Sequence, residues 1–256
     1  ERSVGLGVMG FHSYLQKNNI PLESVMSKVW NKKIFKHIQE NVDQASKDLA
    51  DERGPCPDAA DYGYNERFSN KTAIAPTASI SIICGGASPG VEPVAANSYT
   101  HKTLSGSFNV RNRYLVELLE KCGKNTEEVW SGITTNEGSV SHLDFLTDLE
   151  KDVFKTAFEL DQKWIIELSG DRTPFISQAQ SINLFVPADI HKRELHKIHF
   201  DAWKKGLKSL YYCRSKSIQR AENVNDTKAI DVTANVYKSK AKTTEQPEYE
   251  ECLSCQ

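Results

Sequence analysis

Two adjacent tyrosines, Tyr211 and Tyr212, end a short apolar run with the sequence LKSLYY. Adjacent phenols can be oxidised in succession, each giving up an electron and a proton. The pair could therefore carry a radical over a distance that is too long for a single tunnelling step. Neighbouring side chains of a regular strand point to opposite faces, so two stacked rings require the strand to end or distort there. The alternative is that the rings fill an apolar core, because aromatic residues are common in strands.

Two cysteines near the end of the chain, Cys252 and Cys255, form a C-x-x-C pair. A structural zinc site needs four ligands, and residues 225–256 contain neither a second such pair nor a histidine. A thioredoxin-like pair follows a strand and opens a helix, which this terminal pair does not. Two interpretations stay open. The cysteines are incidental, or they form a dithiol on a flexible arm that spans about 30 Å as a random coil.

A loop rich in small and hydroxyl residues, IAPTASISIICGGASPGVEP, occupies residues 74–93. Thr77, Ser79 and Ser81 supply hydroxyl donors, and the small Ala78 lets a ligand approach the backbone N–H groups. Such groups bind anions without the help of a lysine. The alternative is an ordinary turn. The loop lacks both the P-loop motif and the dinucleotide fingerprint, which disfavours an ATPase or a Rossmann domain.

The overall composition excludes several classes of partner. The chain has 32 Lys and Arg against 34 Asp and Glu, a formal net charge of −2, which offers no basic footprint for nucleic acid. No apolar run approaches the roughly 20 residues that a membrane span needs. The cysteines are scattered apart from the terminal pair, which is typical of a reducing, cytoplasmic protein. We therefore expect no nucleic-acid partner and no membrane partner.

The hydrophobic pattern predicts alternating helices and strands. Helical spacing indicates two helices before Gly54 and further helices at 114–122, 146–168 and 192–205. The segments 70–79, 180–186 and 207–212 are predicted to be short strands. This alternation is typical of an α/β protein with a largely parallel sheet or barrel. Residues 225–256 carry few large apolar groups, which predicts a mobile tail.

The motifs taken together resemble those of one enzyme family. The segments APTASIS, GVEP, HKTLSGSF, QAQSINLF and LKSLYY, with the terminal C-x-x-C, are similar to the C-terminal part of the large, catalytic subunit of class I ribonucleotide reductase. The similarity extends over nearly the whole chain. It implies an α/β fold, the second half of a ten-stranded α/β barrel over residues 1–224, followed by a mobile redox tail over residues 225–256.

The resemblance also implies a role for each motif. The substrate loop of the family matches Pro76, Thr77, Ala78, Ser79, Ile80 and Ser81, which would hold the diphosphate of a ribonucleoside diphosphate. Tyr211 would be the inner residue of the radical relay, and Tyr212 would face the small subunit. Cys252 and Cys255 would reduce the active-site disulfide and be reduced in turn by thioredoxin or glutaredoxin. Such exchange depends more on access than on an extreme pKa.

The resemblance implies no metal bound directly by this chain. The metal-radical cofactor is expected in the partner small subunit, which would deliver the radical. The implied activity is the reduction of ribonucleoside diphosphates to deoxyribonucleoside diphosphates for DNA replication, with dithiol re-reduction.

One family motif is missing. The radical cysteine of the family follows Asn-Leu, and none of Cys56, Cys84, Cys122 and Cys213 does so. We therefore expect the chain to be inactive alone and to need an N-terminal portion of the large subunit. The first residue, Glu1, is not Met, and we expect the chain to begin within a domain, either as a truncated piece of a longer protein or as a naturally split subunit.

Two other functions stay open. The chain could be a non-catalytic module that binds nucleoside diphosphates or docks a subunit. It could also be a fragment of a cobalamin-dependent reductase, which has a similar loop and cysteine tail. That class generates its radical within the same chain and needs no incoming relay, so Tyr211 and Tyr212 argue against it.

Several other polar residues are assigned no chemistry. The seven histidines form no ligand cluster, and His196 and His199 are predicted to lie on a solvated helix face. Cys84 is expected to be a small packed residue. Glu92 follows the substrate-like loop and is expected to cap or brace it.

Overall fold

The computed structural model describes residues 1–103 and 106–215. Within these ranges the helices are α1 (Phe11–Lys17), α2 (Val25–Arg53), α3 (Pro57–Asp61), α4 (Ala78–Ile83), α5 (Arg113–Lys121), α6 (Glu127–Thr135), α7 (Asp148–Val153), α8 (Gln162–Arg172) and α9 (Lys192–Lys204). The strands are β1 (Ser98–Thr103), β2 (Gly106–Arg111), β3 (Leu184–Val186) and β4 (Cys213–Ser215), and a 3₁₀ turn (Thr173–Phe175) follows α8.

The longest helix, α2, begins and ends at residues whose chemistry fixes its limits. The Ser24 hydroxyl accepts a hydrogen bond from the Ser27 N–H, which satisfies an amide of the first turn. Gly54 follows the last residue with φ of 79°, a conformation that glycine adopts without a steric penalty. The predicted end of this helix is therefore confirmed, and α5 and α9 also agree with the sequence pattern within one residue.

The predicted helix over 146–168 is wrong, because two helices, α7 and α8, occupy this stretch. Thr147 and Glu150 form a capping box that starts α7. The chain then turns at Thr156, whose N–H and hydroxyl both donate to Glu159 Oε2 at 2.8 Å. Asp161 caps α8. These local hydrogen bonds of polar side chains with the backbone outweigh the apolar periodicity.

The strand predictions are correct in part. Residues 180–186 contain β3, but the strand expected at 207–212 starts later, at Cys213. The expected strand 70–79 forms only isolated bridges and gives way to helix α4 at Ala78. The pattern also missed the antiparallel hairpin of β1 and β2 and helix α6.

Four extended segments, 4–6, 70–74, 178–186 and 211–215, lie side by side in this order and run parallel. Backbone hydrogen bonds of 2.8–3.1 Å join each segment to the next. Only the last pair, β3 and β4, contains regular strands. Parallel segments connected by helices are the arrangement of an α/β fold. No closed barrel forms within the described ranges.

A buried guanidinium crosses the main core, which packs α1, α2 and α8 together around Phe11, Leu15 and Phe35. Arg172 is 2% exposed. Its nitrogens donate to Gln180, Asn31 and Ser169 at 2.6–3.2 Å. Burial lowers the pKa of Arg172 to about 9. No described helix combines the length and the apolar character that crossing a membrane requires.

Candidate functional site

The predicted substrate loop turns sharply at Thr77, the residue before helix α4. Thr77 has φ of 51°, which is rare for a β-branched residue. Its hydroxyl accepts a hydrogen bond from the Gly90 N–H at 2.8 Å, and its carbonyl accepts from the Ser81 N–H at 2.9 Å. The Ser81 N–H makes the first backbone hydrogen bond of the helix. The N–H groups of residues 78–80 therefore have no partner within the helix and point outward from its N-terminus.

The hydroxyl groups of the loop differ in their accessibility. The Ser79 side chain is exposed, and so is Ile80. Ser81 is buried, and its hydroxyl donates to the Ala78 carbonyl at 2.8 Å. Pro76, Thr77 and Ala78 are partly exposed. The surface that the loop presents is therefore made of backbone N–H groups and the Ser79 hydroxyl, whereas the Ser81 hydroxyl points inward.

The rings of Tyr211 and Tyr212 lie side by side, with their centroids 4.2 Å apart and their planes tilted by 52°. The two residues are 44% and 41% exposed, so the pair does not fill a core. The Arg214 guanidinium lies 5.7 Å from the centroid of the Tyr212 ring, a cation–π distance. Two phenols therefore meet at the surface beside a positive charge.

The strand is bulged at this pair, which explains how consecutive side chains can meet. Leu184 pairs with Cys213. If this regular pairing continued towards the N-termini of the two strands, the Ile182 carbonyl would accept a hydrogen bond from the Tyr212 N–H. Instead, the Ile182 carbonyl accepts from the Tyr211 N–H at 2.9 Å. The Tyr212 N–H instead donates to the Asn183 side-chain Oδ1 at 3.0 Å. One extra residue is thus accommodated, as in a β-bulge.

Glu92 lies next to this bulge and is 8% exposed. Burial raises the pKa of its carboxyl to about 7, although hydrogen bonds from Asn183 and the positive charge of Arg214 oppose the shift. The Glu92 N–H also donates to the Pro89 carbonyl at 3.0 Å. Sequence reasoning gave Glu92 only a bracing role. The sequence signal for the burial of Glu92 was a single carboxylate between two apolar residues, Val91 and Pro93. Both of these residues are buried in the structure.

The segment from Gly90 to Glu92 connects the loop with the tyrosine pair. Gly90 donates to the Thr77 hydroxyl, and two residues later Glu92 faces Asn183, which binds the Tyr212 backbone. The segment from Gly90 to Glu92 therefore links the predicted substrate loop with the predicted tyrosine pair. Cys252 and Cys255 lie outside the described residues, as does the proposed domain boundary at 224.

The remaining candidates lie on the surface. Cys84 is exposed, so the expectation of a packed residue was wrong. His196 and His199 are exposed on α9, as predicted. No group of three or more His, Cys, Asp or Glu in the described part of the chain could hold a metal ion.

Comparison with known proteins identifies the family. The model of the ribonucleotide reductase barrel domain matches residues 1–66 and 58–213. This chain belongs to the ribonucleotide reductase family. The ribonucleotide reductase barrel match spans the loop at Thr77, Glu92 and the tyrosine pair, so all three lie in the family's barrel domain.

Related large subunits are known from viruses that infect invertebrates and frogs. This ribonucleotide reductase chain is 48% identical over 235 residues to the ribonucleoside-diphosphate reductase large subunit of Invertebrate iridescent virus 6, covering 90% of this chain and 24% of the relative. It is 40% identical over 256 residues to the putative large subunit of Frog virus 3, covering 100% of this chain and 42% of the relative.

A solved structure agrees with the fold. The class Id ribonucleotide reductase alpha subunit of Actinobacillus ureae is 42% identical and superposes with a TM-score of 0.78, over 85% of this chain and 39% of that chain. The α/β fold of the family is therefore present here. The ribonucleotide reductase chain spans between about a quarter and two fifths of the length of these relatives.

Proposed function

We propose that this chain forms part of the catalytic subunit of a ribonucleoside-diphosphate reductase and reduces ribonucleoside diphosphates to deoxyribonucleoside diphosphates by radical chemistry. The family membership supports the reaction class. The observation that carries the proposal is the contact between Tyr211 and Tyr212, whose ring centroids are 4.2 Å apart at a bulge in the strand. A pair that only filled space would not need a distorted strand and two half-exposed rings.

The proposed relay moves one electron and one proton at each step. Tyr212 gives an electron to the oxidised site of the small subunit and loses its phenolic proton, becoming a phenoxyl radical. Tyr211 then gives an electron to that radical and loses its own proton, while a proton returns to the Tyr212 oxygen. The Tyr211 radical is quenched in the same way by a cysteine thiol of the N-terminal portion, which becomes a thiyl radical.

The proposed substrate site is the loop from Pro76 to Ser81. The outward N–H groups of 78–80 and the exposed Ser79 hydroxyl can donate to the oxygens of a diphosphate. Thr77 holds this shape with positive φ and a hydroxyl that is already bonded to Gly90. A pre-formed anion site loses little entropy on binding.

The chain is proposed to supply the second half of a ten-stranded barrel over residues 1–224. The four parallel segments support this arrangement, and the first half would come from the N-terminal portion of the large subunit. The metal-radical cofactor is proposed to belong to the small subunit, which would dock beside Tyr212. Without the N-terminal portion the chain lacks the radical cysteine motif, and we expect it to be inactive.

Residues 225–256 are proposed to act as a redox tail. Cys252 and Cys255 would transfer two electrons to the active-site disulfide, become a disulfide themselves, and be restored by thioredoxin or glutaredoxin. This chemistry suits a reducing compartment, and we propose a cytoplasmic location.

A chimera tests the proposal. This chain replaces the matching region in the large subunit of Invertebrate iridescent virus 6, and reduction of nucleoside diphosphates is measured with and without the relative's small subunit. We expect turnover only when the small subunit is present, with the unmodified relative as the positive control. A chimera that binds nucleoside diphosphates but never turns over would favour a binding or docking module. Turnover with adenosylcobalamin and no small subunit would favour the cobalamin-dependent class.

A further inference from the structure

Asn183 is a polar residue in a buried apolar run. It is 2% exposed and stands between Ile182, which is 2% exposed, and Leu184, which is 1% exposed. Asparagine is depleted in strands, and a buried amide is costly unless it is hydrogen-bonded. An apolar side chain would therefore suit this position better if packing were its only role.

The Asn183 side chain accepts a hydrogen bond that a regular strand pair would form through the backbone. Its Oδ1 atom accepts from the Tyr212 N–H at 3.0 Å, and a facing N–H requires this amide atom to be the oxygen. In a regular parallel pair the Tyr212 N–H would donate to the Ile182 carbonyl. That carbonyl accepts from the Tyr211 N–H at 2.9 Å instead. Two consecutive N–H groups therefore have one acceptor each, and the bulge is satisfied.

The backbone on either side of Asn183 is anchored to both neighbouring segments. The Ser181 N–H donates to the Ile74 carbonyl at 2.9 Å, and the Leu184 N–H donates to the Tyr212 carbonyl at 2.8 Å. The Asn183 side chain therefore projects from a fixed position, and its oxygen can select the register of the tyrosine pair.

Arg214 does not provide another anchor for this backbone. Its guanidinium lies 5.7 Å from the centroid of the Tyr212 ring, so it contacts the ring and not the amide. Without the Asn183 oxygen, the backbone acceptor for the Tyr212 N–H is the Ile182 carbonyl of the regular pairing. That register would return the two tyrosine side chains to opposite faces of the strand.

We propose that Asn183 is a positioning residue for the tyrosine pair: its side-chain oxygen binds the Tyr212 N–H, holds the bulge and so keeps the Tyr211 ring against the Tyr212 ring. For its functional consequence this inference rests on the proposed radical relay. In the step that needs the contact, Tyr211 loses one electron and one proton, and the Tyr212 phenoxyl radical gains one electron and one proton to become a phenol again. The structural consequence, the protection of two consecutive amides, is independent of the relay.

The structural arm of the test measures hydrogen–deuterium exchange of the Tyr211 and Tyr212 amides in the large subunit that contains this chain. Asn183→Leu keeps a branched side chain but has no acceptor, so a single carbonyl remains for two N–H groups. We expect exchange of one of the two amides to become about tenfold faster. Asn183→Asp has an acceptor oxygen in either protonation state and is expected to keep both amides slow. Unchanged exchange of both amides in Asn183→Leu would overturn the inference.

The functional arm uses 3-aminotyrosine, which is oxidised more easily than tyrosine and traps the radical for electron paramagnetic resonance. The holoenzyme carries it at position 211 or at position 212. In Asn183→Leu we expect the signal at 212 to persist and the signal at 211 to fall at least tenfold, with the KM for a nucleoside diphosphate unchanged. Asn183→Asp is expected to recover the signal at 211.

The controls separate positioning from a general loss of stability. Asn31→Ala removes a fully buried asparagine whose side chain contacts Leu168 and Arg172, and it is expected to leave both signals intact. If Asn183→Leu fails to fold, Asn183→Ala, which also lacks an acceptor, carries the same two measurements.

Three outcomes would overturn the positioning role. They are an equal signal at 211 in the wild type and in Asn183→Leu, loss of the signal at both positions in Asn183→Leu, and failure of Asn183→Asp to recover the signal at 211. Absence of both signals in the wild type would overturn the relay itself, and the amide exchange would still decide the structural role of Asn183.

Discussion

The Thr77 hydroxyl accepts a hydrogen bond from the Gly90 N–H at 2.8 Å, while the Thr77 backbone adopts φ of 51°. A non-glycine residue held in this region costs on the order of 1–3 kcal/mol and persists only where its surroundings fix it. Gly90 packs so closely that an added Cβ would lie 2.9 Å from the Ala75 carbonyl oxygen. The segment after the loop therefore keeps the loop in its strained shape.

Thr77→Val is expected to loosen this contact. Valine keeps the branched shape but has no oxygen to accept the Gly90 N–H, and the loss of about 1–1.5 kcal/mol predicts roughly tenfold faster exchange of that amide. Hydrogen–deuterium exchange of residues 84–93 measures the effect. Thr77→Ser keeps the hydroxyl and is the matched control. Equal exchange in the two variants would show that the hydroxyl does not hold the segment.

Tyr212→Phe is expected to reduce kcat of the assembled enzyme to background. Phenylalanine keeps the ring beside Tyr211 but has no phenolic proton to give up, so the relay is interrupted while the packing is retained. Equilibrium binding of a nucleoside diphosphate is expected to stay unchanged. Tyr64→Phe alters an exposed tyrosine away from the pair and serves as the control. Normal turnover in Tyr212→Phe would remove the relay hypothesis.

Residues with local signals were predictable from the sequence, and residues whose role depends on distant packing were not. Gly54 marks the end of α2 both in the sequence pattern and in the structure. The capping box of Thr147 and Glu150 was also readable, but the apolar periodicity of the stretch hid it. The burial of Glu92 arises only when segments about ninety residues apart meet at Asn183.

Asn31→Ala is expected to destabilise the main core. The Asn31 side chain is fully buried, donates to the Leu168 carbonyl at 2.8 Å and accepts from Arg172 at 3.2 Å. Its loss leaves the Arg172 Nη1 group without its acceptor and removes one of the hydrogen bonds to the Leu168 carbonyl, both in the core, which costs about 1–3 kcal/mol. Thermal unfolding measures the loss. Asn41→Ala on the same helix removes only an exposed bond to His37, and a shift as large as that of Asn31→Ala would contradict the prediction.

Replacing both Cys252 and Cys255 with serine is expected to stop turnover driven by thioredoxin. Turnover driven by dithiothreitol should continue, because a small dithiol can reach the active-site disulfide directly. Steady-state rates with the two reductants make the comparison. Cys122→Ser, which alters an exposed cysteine, should match the wild type with both. Equal loss with thioredoxin and dithiothreitol would exclude the shuttle role of the tail.

Glu92 is also expected to make stability depend on pH. Burial raises its folded-state pKa from 4.5 to about 7, so between these values the folded protein binds the proton more tightly than the unfolded chain. The free energy of unfolding contributed by Glu92 is therefore highest below pH 4.5, falls as pH rises towards 7, and is level above it. The full change is at most about 3 kcal/mol, at 1.36 kcal/mol for each pKa unit.

Glu92→Gln removes this titration and isolates it from the other groups. We expect the variant to be more stable than the wild type at pH 8, and the difference to shrink as pH falls below 7, since a neutral Glu92 carries no desolvation cost. The thermal midpoints of both proteins, measured from pH 5 to pH 8, give the difference directly. Arg214 is the charged group that faces Glu92. A difference that is constant with pH would mean that Glu92 remains ionised throughout, with Arg214 and Asn183 compensating fully for its burial.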